Sequence, residues 1–355
     1  MLFYASIPLG ILILGLLSRW FERSSAIANQ LLQTITICLF LSIIMGFRST
    51  SVGTDTSHYV DAFYQIQFVP LVSWSQTHYE FLYVVFNKLI QLFTDDCRYL
   101  FLLESIATVS LFGRFFYRNS PNVLVSFLVF YFGYFYLSAF NISRFWLAVS
   151  IALCGYDYIR TGRLLPAIIW AILGGLFHTS VFFFIFIYVL MGKVKIKNDS
   201  SILLILFGAV ALSFFANQLL ALFAALFPRY AVYINNDIGA SSGWVFPLML
   251  SCIVIGGLLV TEIEEVDFEM EYVRELSLLV VFGVMLLLMG GISDVAVRGA
   301  QLFTIFLTLL IPKVARITRY GGFYTLCCLA CLSAYCLILL ASNSGEIIPY
   351  IFLSI

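Results

Sequence analysis

The sequence predicts an all-α integral membrane protein, with about 12 transmembrane helices in a single polytopic membrane domain over residues 1–355. Hydrophobic residues make up 62% of the chain and charged residues 11%, whereas soluble domains carry about 25% charged residues. Long apolar runs recur along the chain without strand-like alternation, so they indicate helices and not a transmembrane β-barrel. The formal net charge is zero, which argues against a nucleic-acid-binding surface.

The apolar runs give the predicted spans. They are 2–18, 30–47, 98–116, 122–139, 143–160, 164–177, 179–191, 201–227, 244–261, 274–291, 299–313 and 322–341. The first run has no preceding positive segment, so we interpret it as a span and not as a cleaved signal peptide. A shorter run, 79–94, contains Asn87 and Lys88 and is expected to form an interfacial or re-entrant helix on the outer side. In the alternative topology, 79–94 spans and the N-terminus lies inside.

The lysine and arginine positions predict the orientation, because cytoplasmic loops carry an excess of both. The residues assigned to the cytoplasm are Arg19, Arg23, Arg114, Arg118, Arg160, Arg163, Lys193, Lys195, Lys197, Lys313, Arg316 and Arg319. A second set of polar residues then falls outside: Arg48, Asp55, His58, Tyr59, Glu80, Arg144, His178, Arg229, Asp237, Asp294 and Arg298. Several lie close to spans, where charge is costly and usually functional, so they indicate a polar cavity.

The segment GFRSTSVGTDTSHYVDAF combines an arginine, hydroxyl residues and an acid at one membrane edge. Gly53 permits a sharp turn, and Thr54 or Asp55 can cap a helix over 57–68. One face of this helix carries Tyr59, Phe63 and Ile66, which suits a helix at the membrane surface. The segment is equally explained by a functional polar wall or by a snorkelling Arg48 with Asp55 as a cap.

Two arginines are predicted at the start of spans that enter from outside. Asn141 or Ser143 can cap the first of these spans, which places Arg144 in its first turn. A cation there opposes the helix dipole, and a bound anion would resolve the conflict. Arg298 has a similar position, although an ion pair with Asp294 also explains it.

His178 is predicted at the tip of a hairpin between two short apolar runs. A histidine there can be a general base, or it can simply be hydrogen-bonded in a packed hairpin. Arg229, Tyr230 and Tyr233 fall on an outer loop, where the tyrosines are either interface anchors or a sugar-stacking surface.

No P-loop, dinucleotide fingerprint, DxD-like pair or zinc spacing occurs, so neither a cofactor nor a metal is predicted. Cys327, Cys328, Cys331 and Cys336 lie within one apolar run. A metal site there is one interpretation, and small buried side chains are the favoured one.

Several segments together resemble the EpsG family, the Wzy-type polysaccharide polymerases of bacterial envelopes. They are FRSTSVGTDTSHYVDAF, YEFLYVVFNKL, NISRFWLAVSIAL, GLFHTSVF, PRYAVYI, VRGAQLF and the tail IIPYI. They occur in family order over nearly the whole chain. One departure is Phe145, where the family commonly has glutamine after the arginine matched to Arg144.

The resemblance implies a GT-C-like helical fold in the bacterial inner membrane, with the active site facing the periplasm and without nucleotide sugar or metal. It implies that the chain joins oligosaccharide repeat units carried on undecaprenyl diphosphate. The expected partners are those lipid-linked oligosaccharides, membrane lipids, a chain-length regulator and a flippase, and no nucleic acid. The absence of a paired-carboxylate nucleophile favours direct displacement with inversion.

The candidate residues fit such a reaction. Arginine suits a diphosphate leaving group through its bidentate geometry, and the arginines assigned to it are Arg48, Arg144, Arg298 and Arg229. His178 is the favoured base, with Asp55 or Glu80 orienting the acceptor. Asp55 is expected beside Arg48, which would weaken it as a base. The assigned sugar-binding residues are Tyr59, Tyr230 and Tyr233.

Two other functions are compatible with the sequence. One is a membrane acyltransferase that modifies sugars with His178 as base, which would not need several outward arginines. The other is a transporter or flippase of lipid-linked sugars, in which charges would line a path open to both faces. The clustering of the candidate residues on one predicted side favours the polymerase.

Overall fold

The computed structural model describes residues 1–21, 26–196, 198–215, 218, 244–261, 267–289 and 294–352. Throughout these ranges the ordered elements are helices, joined by turns, and the only extended pairing is a single bridge between Arg48 and Phe352. The predicted all-α class is therefore confirmed. The chain divides into two compact units, Met1–Gly192 with Leu332–Ile355, and Lys193–Cys331. A single domain over 1–355 stays a prediction.

The first unit contains eleven α-helices in its described residues and two 3-10 turns, Leu71–Thr77 and Thr179–Phe182. The helices are α1 (Leu2–Phe21), α2 (Ala26–Gly46), α3 (Thr56–Phe68), α4 (Phe81–Gln91), α5 (Arg98–Asn119), α6 (Val123–Phe132), α7 (Phe135–Ser138), α8 (Ser143–Leu153), α9 (Tyr156–Arg160), α10 (Leu164–Gly175) and α11 (Phe183–Lys193). The second half of the last helix, Gly321–Ala341, also belongs to it from Leu332 onward.

Four of these helices pack side by side in the order α2, α5, α8 and α10. The Ser105 hydroxyl donates to the Ser42 carbonyl at 3.1 Å, and the Cys38 thiol to the Val109 carbonyl at 3.4 Å, so α2 and α5 are antiparallel. Close approach is possible because Gly113 lies opposite Cys38, where an added Cβ would be only 2.2 Å from the sulfur.

The directions of α8 and α10 bring the polar segments to one end of this unit. Glu104 of α5 contacts Ser143 at the start of α8, and Phe112, further along α5, contacts Trp146, further along α8, so these two helices are parallel. Ala167 near the start of α10 lies against Gly155 just after α8, and Gly174 near the end of α10 lies against Ala148 within α8, which makes α10 antiparallel to α8. The end of α2, the starts of α5 and α8 and the end of α10 therefore meet, and we call this the polar end.

Several predicted spans are shorter helices in the structure. Five described helices are long and apolar enough to cross a membrane: Leu2–Trp20, Ala26–Gly46, Arg98–Asn119, Val297–Ile317 and Gly321–Ala341. The run 122–139 divides at Gly133–Tyr134, where Tyr134 adopts a φ of 65°, and the run 143–160 divides between α8 and α9. The protein is thus a helical multi-pass membrane protein, while twelve spans and the GT-C likeness stay predictions.

The helix α4 tests the expectation for 79–94. It has 11 residues, which at the rise of an α-helix corresponds to about 16 Å. The hydrocarbon core of a bilayer is about 30 Å thick. Because α4 is too short to cross, its length supports the interfacial or re-entrant interpretation over the spanning one.

The C-terminal segment packs against the loop that follows α2. The Ser49 amide donates to the Ile351 carbonyl at 2.8 Å, the Gly53 amide to Glu346 at 3.1 Å and the Thr54 amide to Gly345 at 3.1 Å. The Tyr350 hydroxyl donates to the Ile44 carbonyl at 2.7 Å. These bonds fix the backbone of the loop from which Arg48 and Asp55 project.

The second unit contains helices α12 (Asp199–Ser213), α13 (Val245–Val260), α14 (Asp267–Met289), α15 (Asp294–Thr304), α16 (Leu307–Ile317) and most of α17 (Gly321–Ala341). Ion pairs join its helices at one end: Asp199 binds Arg274 at 2.6 Å, and Glu269 binds Lys313 at 3.0 Å. In α17, Cys328 and Cys336 are buried while Cys327 and Cys331 are exposed. The interpretation of these cysteines as small buried side chains is therefore confirmed for Cys328 and Cys336 and is wrong for Cys327 and Cys331.

Candidate functional site

Arg144 and Glu80 form an ion pair at the polar end. Arg144 Nη1 donates to Glu80 Oε2. The other carboxylate oxygen, Oε1, accepts from the Thr179 amide at 2.8 Å and from the Thr179 hydroxyl at 2.7 Å. Only 15% of the Arg144 side chain and 19% of the Glu80 side chain is exposed. The pair therefore joins the start of α8, the start of α4 and the turn after α10.

The sequence predicted Arg144 in the first turn of its helix, and the structure confirms that position. The predicted capping by Asn141 or Ser143 is wrong, because Ile142 occupies the N-cap and no side chain caps the helix. The Asn141 side chain instead accepts from the Asp55 amide at 2.7 Å. The negative charge expected at this turn is supplied in the structure by Glu80.

Two tyrosine rings flank the guanidinium of Arg144. Its Cζ atom lies 5.0 Å from the ring centroid of Tyr79 and 5.3 Å from that of Tyr83. Cation–π contacts of this kind are strengthened by partial desolvation. The planar guanidinium is thus held in one orientation, with its Nε buried and without a hydrogen-bond partner.

The environment of Glu80 favours its charged form. Burial raises the pKa of this carboxyl, but Arg144, both hydrogen bonds from Thr179 and His178 lower it, and the net pKa is below the ordinary value. A carboxylate stabilised in this way is a poor proton acceptor near neutral pH. The structure therefore favours Glu80 as an orienting and charge-balancing group.

His178 lies beside this ion pair. It occupies the N-cap of the 3-10 turn Thr179–Phe182 with an extended backbone, and it directly precedes the threonine that binds Glu80. Its ring meets Phe145 edge to face, with centroids 5.4 Å apart. The predicted hairpin tip thus brings the imidazole to the arginine–carboxylate pair, packed by the residue that departs from the EpsG pattern.

Arg48 is buried in the interior of the polar end, with 1% of its surface exposed. Its guanidinium carbon lies 4.9 Å from the Phe101 centroid and 5.6 Å from the Phe140 centroid, and Nη1 donates to the Met45 carbonyl at 2.7 Å. Burial lowers the pKa of Arg48, and the charge of Glu104 opposes that effect. The carboxylate acting on Arg48 most strongly is thus Glu104, where Asp55 was expected.

Glu104 was not among the residues selected from the sequence. It is fully buried on α5, and its Oε2 accepts from the Ser143 hydroxyl at 2.7 Å. The sequence could have identified it, because Glu104 is the one acidic residue within the apolar run 98–116. Charged residues at such positions are costly and are usually functional.

Asp55 and Tyr59 lie on either side of the start of α3. Asp55 occupies the predicted N-cap position, although its side chain makes no capping bond. Tyr59, Phe63 and Ile66 form the buried face of α3, as their spacing predicted. Tyr59 is 6% exposed and packs against Tyr83 and Phe101, so its proposed role in sugar binding stays a prediction that needs an opening of this cluster.

The remaining predicted residues lie elsewhere. Arg298 is on α15 of the second unit, and its role stays a prediction. Arg229, Tyr230 and Tyr233 fall outside the described residues. Within the described ranges, no group of three or more histidine, cysteine or acidic side chains is suited to a metal ion. Metal independence stays a prediction.

Comparison with known proteins identifies the family. The model of the EpsG family matches residues 31–352, nearly the whole chain. The chain belongs to the EpsG family. This is a Wzy-type polysaccharide polymerase-like family, which implies a glycosyltransferase-like polymerase activity in polysaccharide biosynthesis. The resemblance predicted from the sequence is thereby confirmed. Neither a curated protein nor a solved structure matches the chain.

Proposed function

We propose that this EpsG-family protein joins undecaprenyl-diphosphate-linked oligosaccharide repeat units at the outer face of the bacterial inner membrane. A hydroxyl of the incoming repeat unit attacks the anomeric carbon of the growing chain. The bond from that carbon to the diphosphate oxygen breaks, the lipid diphosphate leaves with the electron pair, and the hydroxyl proton passes to a base. Direct displacement inverts the anomeric configuration.

The observation that carries this proposal is the contact between Arg144 and Glu80 beside His178. Charge grows on the diphosphate oxygen as the glycosidic bond breaks, and a fixed cation lowers the barrier most when it is already oriented. Arg144 is oriented by Glu80 and by the rings of Tyr79 and Tyr83. Arginine can bind a phosphate group through two parallel hydrogen bonds.

The acid and base roles follow from the environments. Glu80 is held charged by Arg144 and Thr179, so it orients the acceptor hydroxyl. His178 accepts the proton, because histidine is the side chain that ordinarily changes protonation near neutral pH. Arg48, which the sequence assigned to the diphosphate, is enclosed between Phe101 and Phe140, so its proposed action on the diphosphate is through its charge and without direct contact.

The polar groups of the first unit favour a polymerase over a flippase. The proposed reacting groups lie at the polar end, whereas Asp157, at the other end of the unit, binds Arg114 and Arg118 at 2.6 Å. A flippase requires a path open to both faces. Cysteines placed at positions 55, 144, 178 and 298 should react with a membrane-impermeant reagent from the outer face alone, and reaction from both faces would support transport.

A gene deletion tests the proposal. Surface polysaccharide from the deletion strain should lose its long chains on gels and retain a single repeat unit, and the wild-type gene should restore the ladder. The Arg144→Ala gene should not restore it at equal protein level. Complete loss of surface sugar would place the protein earlier in the process and would contradict the polymerase assignment. The chain-length regulator and flippase remain proposed partners.

A further inference from the structure

We propose that Glu104 is a positioning residue for Arg144 and acts through the hydroxyl of Ser143. The inference rests on the proposed function, because it concerns the cation assigned to the leaving diphosphate. Ser143 is the first residue of α8 and directly precedes Arg144. Its hydroxyl donates to Glu104 Oε2 at 2.7 Å, and both side chains are fully buried.

The start of α8 lacks a conventional cap. Ile142 stands at the N-cap, and its side chain makes no hydrogen bond to the amides of the first turn, whereas such a bond usually fixes a helix start. The first two residues of α8 instead form side-chain hydrogen bonds to other helices: Ser143 binds Glu104, and Arg144 binds Glu80. The first bond ties this turn to α5, and the second ties it to α4.

The bond from Ser143 to Glu104 is not the usual arrangement for a buried helical serine. Ser150, two turns later on α8 and also fully buried, donates to the Leu147 carbonyl of its own helix at 2.7 Å. Ser143 instead binds a carboxylate on another helix. The position of the Ser143 hydroxyl is therefore set by a second helix, whereas that of Ser150 is set by its own helix.

Glu104 lies within electrostatic reach of both arginines of the polar end. It is the strongest of the charged side chains that act on Arg48, and both Arg48 and Arg144 act on Glu104. A buried carboxylate is tolerated only with such compensation. A purely structural role, in which Glu104 serves only as a counter-charge for Arg48, requires the carboxylate but not the hydroxyl of Ser143. Removing that hydroxyl therefore separates the two roles.

The decisive variants are Ser143→Ala, Ser143→Thr and the control Ser150→Ala, which removes an equally buried hydroxyl from the same helix. The purified full chain is assayed with the lipid-linked repeat unit isolated from the deletion strain. Ser143→Ala should lower kcat about ten-fold with little change in KM, because orientation toward the leaving oxygen matters most in the transition state. Ser143→Thr should restore most of the rate, and Ser150→Ala should stay near wild type.

A second measurement keeps this inference separate from the proposed function. Hydrogen exchange at the amides of residues 144–147 should be faster in Ser143→Ala than in Ser150→Ala, at closely similar thermal midpoints. Equal kcat values and equal exchange in the two alanine variants would overturn the positioning role. If the wild-type protein itself makes no polymer, the proposed function fails, and the exchange measurement alone decides whether Ser143 and Glu104 hold the start of α8.

Discussion

Arg144 binds Glu80 across the space between the start of α8 and the start of α4, and both carboxylate oxygens of Glu80 are engaged. A diphosphate approaching Arg144 must therefore share the guanidinium with this carboxylate or displace it. Either event changes the charge beside His178, whose own field acts on Glu80. In the proposed reaction, this ion pair would couple leaving-group binding to acceptor activation.

The first prediction concerns the shape of the Arg144 side chain. Arg144→Lys keeps the charge but loses the planar fork and its contacts with Tyr79 and Tyr83. We expect the polymerisation rate to fall about 100-fold, the lower range for losing a preoriented transition-state donor. The control is Arg163→Lys, since Arg163 also lies over a tyrosine, Tyr158, at 5.4 Å. Near-normal polymer length from Arg144→Lys would exclude bidentate binding.

The second prediction follows from the lowered pKa of Glu80. Because its folded-state pKa lies below the ordinary 4.5, the stability from its ionised form is fully present above that value and is lost as the pH falls through the folded pKa. The free energy of unfolding of the wild type should exceed that of Glu80→Gln by about 1–3 kcal/mol, a value between those typical of exposed and of buried ion pairs. The difference in thermal midpoint should stay constant from pH 8 to about pH 5.5 and shrink below about pH 4.5.

A difference that instead declined between pH 8 and pH 6 would show that another titrating group controls the stability of this pair. Asp157→Asn is a suitable control, because Asp157 forms ion pairs with Arg114 and Arg118 at the far end of the same unit. Its effect on stability should be independent of Thr179, whereas that of Glu80→Gln should depend on the Thr179 hydroxyl that binds Glu80.

The sequence indicated candidate site residues better than it indicated helix boundaries. Arg144 could be singled out because a cation in a first helical turn conflicts with the dipole whatever the tertiary structure is. Its partner Glu80 is 64 positions away, so no local pattern could pair them. Composition also predicted a membrane protein, but not that the run 122–139 divides at Tyr134, since hydropathy contains no information on backbone direction.

For Glu104, the sequence shows that the residue matters but not which residues it pairs with. Its carboxylate in an apolar run was visible in the sequence, and the cost of burying it identifies a functional or paired residue. Which arginines compensate it depends on α5 lying against both α2 and α8, and that packing is tertiary. The attachment of the C-terminal segment to the loop after α2 is equally nonlocal, joining Gly53 to Glu346.

The third prediction concerns that loop. Gly53 has a φ of +99°, and an added Cβ would lie 2.6 Å from the Phe140 carbonyl oxygen and 3.1 Å from the Asn141 Cα. Gly53→Ala should lower the thermal midpoint and the polymer yield together, since Phe140 and Asn141 lead directly into α8. The control is Gly162→Ala, where φ is +73° but nothing lies within 4 Å. Gly162→Ala should cost only about 1–2 kcal/mol for the left-handed backbone, and an equal effect at both glycines would contradict this account.

The fourth prediction is that polymerisation needs no divalent metal. The positive charge required by the leaving diphosphate is assigned to Arg144, which the protein already holds in place. Purified activity should therefore be unchanged by EDTA over repeated turnovers. Loss of activity in EDTA, followed by recovery on adding magnesium or manganese, would show that a metal shares the charge with the arginine.

The last prediction identifies the base among His178, Asp55 and Glu80. A good leaving group reduces the help needed from a base, so His178→Ala should lower the rate by no more than about 100-fold, the low end for general base catalysis. Arg144→Ala should lower it further, by about 100–1000-fold, as loss of charge stabilisation does.

His58→Ala is the matched control, because His58 is an exposed histidine of the same unit. Glu80→Gln and Asp55→Asn are measured at equal protein level. Glu80→Gln should lower the rate without abolishing it, because its amide oxygen can still accept from Thr179 while the charge that orients Arg144 is lost. If His178→Ala polymerises like wild type while Asp55→Asn or Glu80→Gln is inactive, the base is a carboxylate, and the field of Arg144 on Glu80 would then have to be relieved when the diphosphate binds.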